Sequence, residues 1–384
     1  MNERYHTIPS PSYVMEETLL RRNLELIRRV SVEADVEIIL AFKAFALWKT
    51  FPIFREYISG TTASSLSEAR LGYEEMGALT HTYAPVYRPD ELEEILRCSS
   101  HITFNSLSQF DRWYPTVRDY AGHPISCGLR LNPEYSEIET DLYNPASPDS
   151  RLGVPLADLL DELPVGIEGI HIHSHCEDDS HTFARSLSVI EEKFGRYLER
   201  AKWVNFGGGH LMTRKDYDVE LLIKLLTDFH RRYPHLRVLL EPGSAFAWQT
   251  GPLITTILDR VTHGGVTTLM IDASFSCHMP DCLEMPYQPS IRGASTSKDE
   301  EHTYGPYRVG GNSCLSGDVM GDWYLDHEPE VGEQLIFEDM IHYTTVKTTM
   351  FNGISHPSIY LLHSDGTPEL LRAYGYEDYK TRMD

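Results

Sequence analysis

From residue 36 to residue 242, short apolar runs take turns with longer stretches of helical period. The first run is a strand at 36–42, followed by a predicted helix at 45–57 and a strand near 58–62. SLSEARLGYEEMG has apolar residues at helical spacing, with Ser67 placed to cap it. HTYAPVY precedes the helical DELEEILRCS, HITFNS precedes LSQFDRWYPTV, and ISCGLRLN reads as a strand. GIEGIHIHSH then leads to a helix near 181–201, WVNFGGG to a helix near 217–233, and HLRVLLEPG closes the series. About eight strands alternating with helices predict a parallel β/α barrel.

Outside that region the pattern changes. Segments such as PLITTILDRVTH, TTLMIDASFS, YRVGGNS, EQLIFEDM and SIYLLHSDG are alternating or β-branched, with Gly, Pro, Asn and Asp between them. They predict an antiparallel β domain joined by the short strand SYVM at 12–15. The expected division is therefore a barrel over 20–245 and a β domain made of 1–19 and 246–384. Residues 279–307 carry no clear period, and a stretch of that length without one is usually functional or mobile.

Composition narrows the class. With 384 residues, 41% hydrophobic and 24% charged, the chain is globular and long enough for two cores. A formal charge of −23 disfavours nucleic acid and anionic membranes and favours cationic ligands. No apolar run is long enough to span a bilayer, and MNERYHTIPSPSY lacks the apolar segment of a secretion signal, so a cytoplasmic location is expected. The six cysteines contain no CxxC pair, which argues against a disulfide scaffold or a zinc knuckle.

Six places carry candidate chemistry. Lys43 lies in IILAFKAF, where burial penalises the ammonium; it is either a snorkelling side chain or an amine with lowered pKa that can attack a carbonyl cofactor. His171, His173 and His175 alternate, and on a strand they would share a face. That arrangement suits zinc with Glu177 or Cys176, an imidazole stacked on a planar ring, or plain hydrogen-bonded histidines. Gly207, Gly208 and Gly209 after an apolar strand form a phosphate loop or a tight turn. Glu241-Pro242-Gly243 ends the last barrel strand, where a carboxylate can face a pyridine nitrogen or simply close a strand. Cys314 sits among turn residues in GGNSCLSGD, where a thiol can be exposed as a proton donor. Tyr343, placed on a strand in HYTTVKTTMFNG, is a packed tyrosine or a phosphate ligand.

In that order, the lysine, HxH, GGG, EPG, SCxxGD and YT…FNG resemble the alanine-racemase-like fold of pyridoxal phosphate (PLP)-dependent basic amino-acid decarboxylases, over nearly the whole chain. AFKAF, HMPDCLEMPY and GGNSCLSGD look most like the branch of carboxynorspermidine (carboxyspermidine) decarboxylases, which implies a polyamine-like amino acid as substrate. The resemblance implies a homodimer with shared sites. In it Lys43 would be joined to PLP, His173 would stack on the ring, Glu241 would pair with the ring nitrogen, and Arg130 would buttress the ring side. Gly207, Gly208, Gly209, Gly243 and Tyr343 would hold the cofactor at and near its phosphate. Cys314 would protonate the substrate carbanion, and Asp272, Asp281, Glu284 and Asp318 are candidates for the substrate's ammonium groups. No metal is expected. Two departures stand out: Leu315 replaces the acid that ornithine-type relatives carry after the cysteine, and Cys176 replaces a serine. The competing readings are a decarboxylase of diaminopimelate, ornithine or arginine, a PLP racemase, a zinc hydrolase on the histidine strand, and a non-catalytic relative that binds a partner protein.

Overall fold

The computed structural model describes residues 4–138 and 143–384. It divides into two compact units, one of Asn23–Phe246 and one of Met1–Arg22 with Ala247–Asp384.

In the first unit the apolar runs become parallel strands joined by helices. A single segment, 37–41, pairs on one side with Arg237–Leu240 and on the other with Thr61–Ala63. That double pairing closes the ring. Between these neighbours run Thr80–Tyr83, Ser99–Phe104, Ser126–Asn132, Ile167–His171 and Trp203–Asn205, each parallel to the next. The strands are parallel because the connections are long enough to carry helices such as Leu107–Arg118, Ser180–Leu198 and Val219–Arg232 back across the outside. Each of these three helices starts on a side-chain cap, from Ser106, Asp179 and Asp218 respectively.

Trp203 fills the interior between two glycines. A Cβ on Gly169 would stand 1.8 Å from its ring and one on Gly128 2.4 Å, so both neighbouring strands leave room for the indole. The indole N–H is satisfied by the Ser126 hydroxyl at 2.9 Å.

Two local expectations are corrected here. The cap of helix Leu66–Leu71 is Ser65, not Ser67: Ser65 is extended and accepts the Glu68 N–H, while the Glu68 carboxylate returns to the Ser64 N–H. The helix expected over 45–57 is a 3₁₀ turn at Trp48–Thr50 running into a one-turn helix, Phe51–Phe54. Pro52 suits the first turn of that helix, but the preceding residues are not α-helical.

The second unit is a nine-stranded sheet. It is mixed rather than purely antiparallel. Ser12–Glu16 runs antiparallel to Leu253–His263 but parallel to Ser358–Leu362, and Val266–Ile271 is parallel to Tyr304–Gly310. A parallel pair needs a long crossover, and the stretch without sequence period supplies the second one. It folds as the short helix Pro280–Glu284 and the two-residue strand Ala294–Ser295 before it enters the strand Tyr304–Gly310.

Candidate active site

Lys43 lies in the turn that follows the first barrel strand, which ends at Ala41. Its neighbours Phe42, Ala44 and Phe45 are buried and anchor the turn. The lysine side chain itself is reachable by solvent, yet the surrounding protein still lowers its pKa, with burial the largest cause and the nearby Arg130 charge adding to it.

The hydrogen bonds around His173 say the same independently. The Gly208 N–H donates to His173 Nδ1 at 3.0 Å, so that nitrogen is an acceptor. An Nδ1 that accepts leaves the ring neutral, the state that burial favours, so its one proton belongs on Nε2. Nε2 stands 3.3 Å from Lys43 Nζ. A bond with the proton on Nε2 requires the lysine nitrogen to accept, which only the neutral amine can do. The local network therefore favours the nucleophilic form of Lys43.

At the end of the adjacent strand, Glu241 follows Arg237–Leu240 and is buried. Burial alone would raise its pKa, but His171, Lys43 and Asn205 hold it down to about 2. His171 Nε2 lies 2.9 Å from Oε1, and Asn205 Nδ2 lies 2.9 Å from Oε2. Gly207 and Gly209 have φ of 73° and 89°, which glycine adopts without strain. A Cβ on Gly208 would meet the Glu241 carbonyl oxygen at 2.6 Å, so the loop packs directly on the Glu241 turn. Gly243 is equally tight, with a Cβ there 2.3 Å from that of Ala44. Arg130 is buried, reaches the His173 carbonyl at 3.4 Å and covers the Tyr83 ring at 4.8 Å.

The alternating histidines do not share a face. The strand ends at His171, and the chain beyond it sends each ring to a different partner. His171 goes to Glu241 and His173 to Gly208 and Lys43, while His175 lies between Ser186 and Asp178 at 2.8 and 3.0 Å. Among the described residues, no group of three or more His, Cys, Asp or Glu is arranged to hold a metal ion.

The remaining candidates belong to the sheet unit. Cys314 is exposed, and its N–H donates to Asn352 Oδ1 at 2.8 Å. Asp318 is buried and accepts from the Ser274 hydroxyl and the N–H groups of Ser276 and Ser313, at 2.8, 3.1 and 3.2 Å. Asp272 accepts from the Ser10 hydroxyl and the Thr256 N–H. Asp281 and Glu284 share one cation, Lys347. Tyr343 lies in a turn with φ of 45°, not on a strand. The bend at 341–343 is not visible in the sequence, because Thr344, Thr345 and Val346 favour strands.

This geometry can be set beside known proteins. The model of the family described as pyridoxal-dependent decarboxylase, C-terminal sheet domain, matches residues 12–341. The chain belongs to the pyridoxal-dependent decarboxylase family. It is an enzyme, a decarboxylase, and its cofactor is pyridoxal phosphate. The chain is 50% identical to carboxyaminopropylagmatine decarboxylase of Synechocystis sp., over 100% of this chain and 97% of that one. It is 39% identical to carboxynorspermidine/carboxyspermidine decarboxylase of Campylobacter jejuni, over 98% and 99%. The crystal structure of carboxynorspermidine decarboxylase complexed with norspermidine, also from Campylobacter jejuni, superposes with a TM-score of 0.90 at 38% identity, covering 98% of this chain and all of that one. The barrel-plus-sheet architecture of this decarboxylase is therefore that of its family.

The residues present fit the cofactor. A lysine amine with lowered pKa, a carboxylate held well below its usual range and a glycine loop too tight for any Cβ stand at the ends of barrel strands. Sequence reasoning missed Asn205, Tyr83 and Asn352 as parts of these arrangements. Asn205 left a signal, two residues ahead of the glycine loop, where its Oδ1 accepts the Gly207 N–H at 2.8 Å, and Asn352 left one as the middle residue of FNG.

Proposed function

We propose that this enzyme decarboxylates a carboxylated polyamine: an α-amino acid extended by a secondary amine and a distal cation, with carboxynorspermidine and carboxyspermidine as its substrates. What carries the reading is the full-length identity to two relatives, both named for a substrate of this chemical class. A second reading has its own observation. The relative at 50% identity is named for carboxyaminopropylagmatine, whose distal group is a guanidinium in place of an ammonium. The products would be the corresponding polyamines and carbon dioxide.

Bound pyridoxal phosphate supplies a conjugated ring that takes up the electron pair released when the carboxylate departs as carbon dioxide. In the proposed site Lys43 would hold the cofactor through its amine nitrogen, whose pKa the surroundings lower toward the nucleophilic form. The neutral His173 ring offers a flat, uncharged face for stacking, and Arg130 backs it from the neighbouring strand. Glu241, kept ionised, favours a proton at the ring nitrogen. Gly207, Gly208, Gly209, Gly243 and Tyr343 are assigned to the cofactor and its phosphate. Cys314 delivers a proton to Cα. We assign it to the barrel of a second copy in a homodimer, which suits its exposed position.

Substrate choice follows from charge. Asp281 and Glu284 put two carboxylates on the single ammonium of Lys347, which leaves net negative charge for a second cation. Asp272 is the further candidate. Asp318, with three donors of its own unit already on it, is better suited to shaping the Cys314 turn than to meeting substrate. Leu315 is 45% exposed beside the cysteine and offers no carboxylate to a short diamino acid. The overall charge of −23 steers cations toward the protein and away from nucleic acid or anionic membrane. No helix among the described residues is long and apolar enough to cross a membrane, and none of the six cysteines forms a disulfide. Cysteines kept as thiols suit the reducing cytoplasm, where the reading places the enzyme.

Competition between substrates tests this. Charge-assisted contacts contribute roughly 1.5–3 kcal/mol each, so one extra paired cation separates kcat/KM by about one to two orders of magnitude. Carboxynorspermidine, carboxyspermidine or carboxyaminopropylagmatine should each exceed ornithine, lysine and diaminopimelate. The guanidino substrate leading the group would select the second reading. Ornithine turned over as well as the best of them would overturn the proposal while leaving the cofactor chemistry intact.

A further inference from the structure

The carboxylate assigned to the ring nitrogen is held by two donors on adjacent strands, and their orientation can be deduced. Asn205 Oδ1 accepts the Gly207 N–H, so its amide cannot be flipped and Nδ2 faces Glu241 Oε2. His171 is the register partner of Asn205 on the neighbouring strand, and the strand leading to Glu241 pairs on the other side. Three consecutive strand ends thus converge on one carboxyl group. With Oε1 facing imidazole and Oε2 facing an amide N–H, the ionised carboxylate accepts on both oxygens, and His171 carries its proton on Nε2. Each oxygen keeps lone-pair capacity for a further donor.

His171 is also fixed from behind. The Tyr83 ring meets it edge-on at 5.2 Å, and the Arg130 guanidinium lies over Tyr83 at 4.8 Å. Its other nitrogen, Nδ1, is buried with no hydrogen-bond partner among the described residues. A side chain kept only for packing gains nothing from that unsatisfied nitrogen, and an aliphatic residue would fill the space without it. The polar function lies on the Nε2 side.

We propose that His171 is a positioning residue of the decarboxylase: through its Nε2–H bond it aims the Glu241 carboxylate and keeps it ionised, and so sets the protonation of the cofactor's ring nitrogen. This rests on the reading of Glu241 given above. The chemical requirement is general. A carboxylate that rotates or takes up a proton no longer favours a proton on the facing pyridine, and the ring then accepts electrons less readily.

The test uses the holoenzyme loaded with cofactor labelled with ¹⁵N in the ring, read by the nitrogen chemical shift beside kcat and KM. His171→Gln places an N–H at nearly the reach of imidazole Nε2, whereas the shorter His171→Asn and the apolar His171→Leu do not. His171→Asn and His171→Leu should move the ring signal toward the unprotonated position and lower kcat by about 10- to 100-fold, as loss of an outer hydrogen-bond partner typically does. KM should stay within a few-fold, and His171→Gln should recover most of both readouts. A wild-type ring signal and kcat in His171→Asn would overturn the proposal, and the Asn/Gln pair suffices if the leucine variant does not fold. Glu241→Gln separates the two claims. If it moves the ring signal and His171→Asn does not, only the role of His171 falls. If it leaves the signal unmoved, the reading of Glu241 falls and takes this proposal with it.

Discussion

Lys43→Ala removes the decarboxylase activity and the visible absorbance of the bound cofactor, and leaves the barrel folded. The fold survives because the packing of that turn comes from Phe42, Ala44 and Phe45, while the lysine side chain is solvent-accessible. The activity does not, because the amine proposed to hold the cofactor is gone. Loss of a covalent nucleophile costs up to about 10⁶-fold, so kcat/KM should fall by more than about 10⁴-fold. Absorbance spectra and steady-state turnover of the purified variant check it. Retention of the visible band with full turnover would remove Lys43 from the chemistry.

Cys314→Ala has the second largest expected effect. Cys314 would direct the proton to the substrate's Cα and away from the cofactor's carbon, and that choice decides the product. With the thiol gone, turnover should fall by about 10²–10⁴-fold, the range for a single proton donor. A growing share of events should end in an aldehyde and an aminated cofactor instead of the polyamine. Product analysis by mass spectrometry alongside cofactor consumption measures that partition. An unchanged rate and partition would leave the exposed thiol, and the Asn352 bond that holds its backbone, without a catalytic purpose.

The barrel was legible because its signal is local. Each strand and helix declares its own period, and the closing segment at 37–41 needs no information from elsewhere to be a strand. The mixed pairing of the sheet was not legible. Nothing in SYVM shows that it lies parallel to Ser358–Leu362, since that choice is made by pairing across most of the chain. The same holds for the acids. Asp281 and Glu284 read as open charges until Lys347, more than sixty positions later, is found between them. Asp318 read as a ligand of cations and is a hub of three donors. The HIHSH run misled in a different way. Strand alternation predicts one shared face, but the backbone leaves the strand at His171, and from there each histidine answers to its own tertiary partner. Lys43, the glycine loop and Glu241 were legible as separate residues. Their electrostatic state was not, because it depends on neighbours on other strands.

The most direct measurement is reductive trapping. Borohydride treatment of the native enzyme, followed by proteolysis and mass spectrometry, fixes the cofactor to whichever lysine holds it. The account predicts a single pyridoxyl adduct on Lys43, in a peptide spanning AFKAF. An adduct on another barrel lysine, such as Lys193 or Lys215, with Lys43 unmodified, would contradict it.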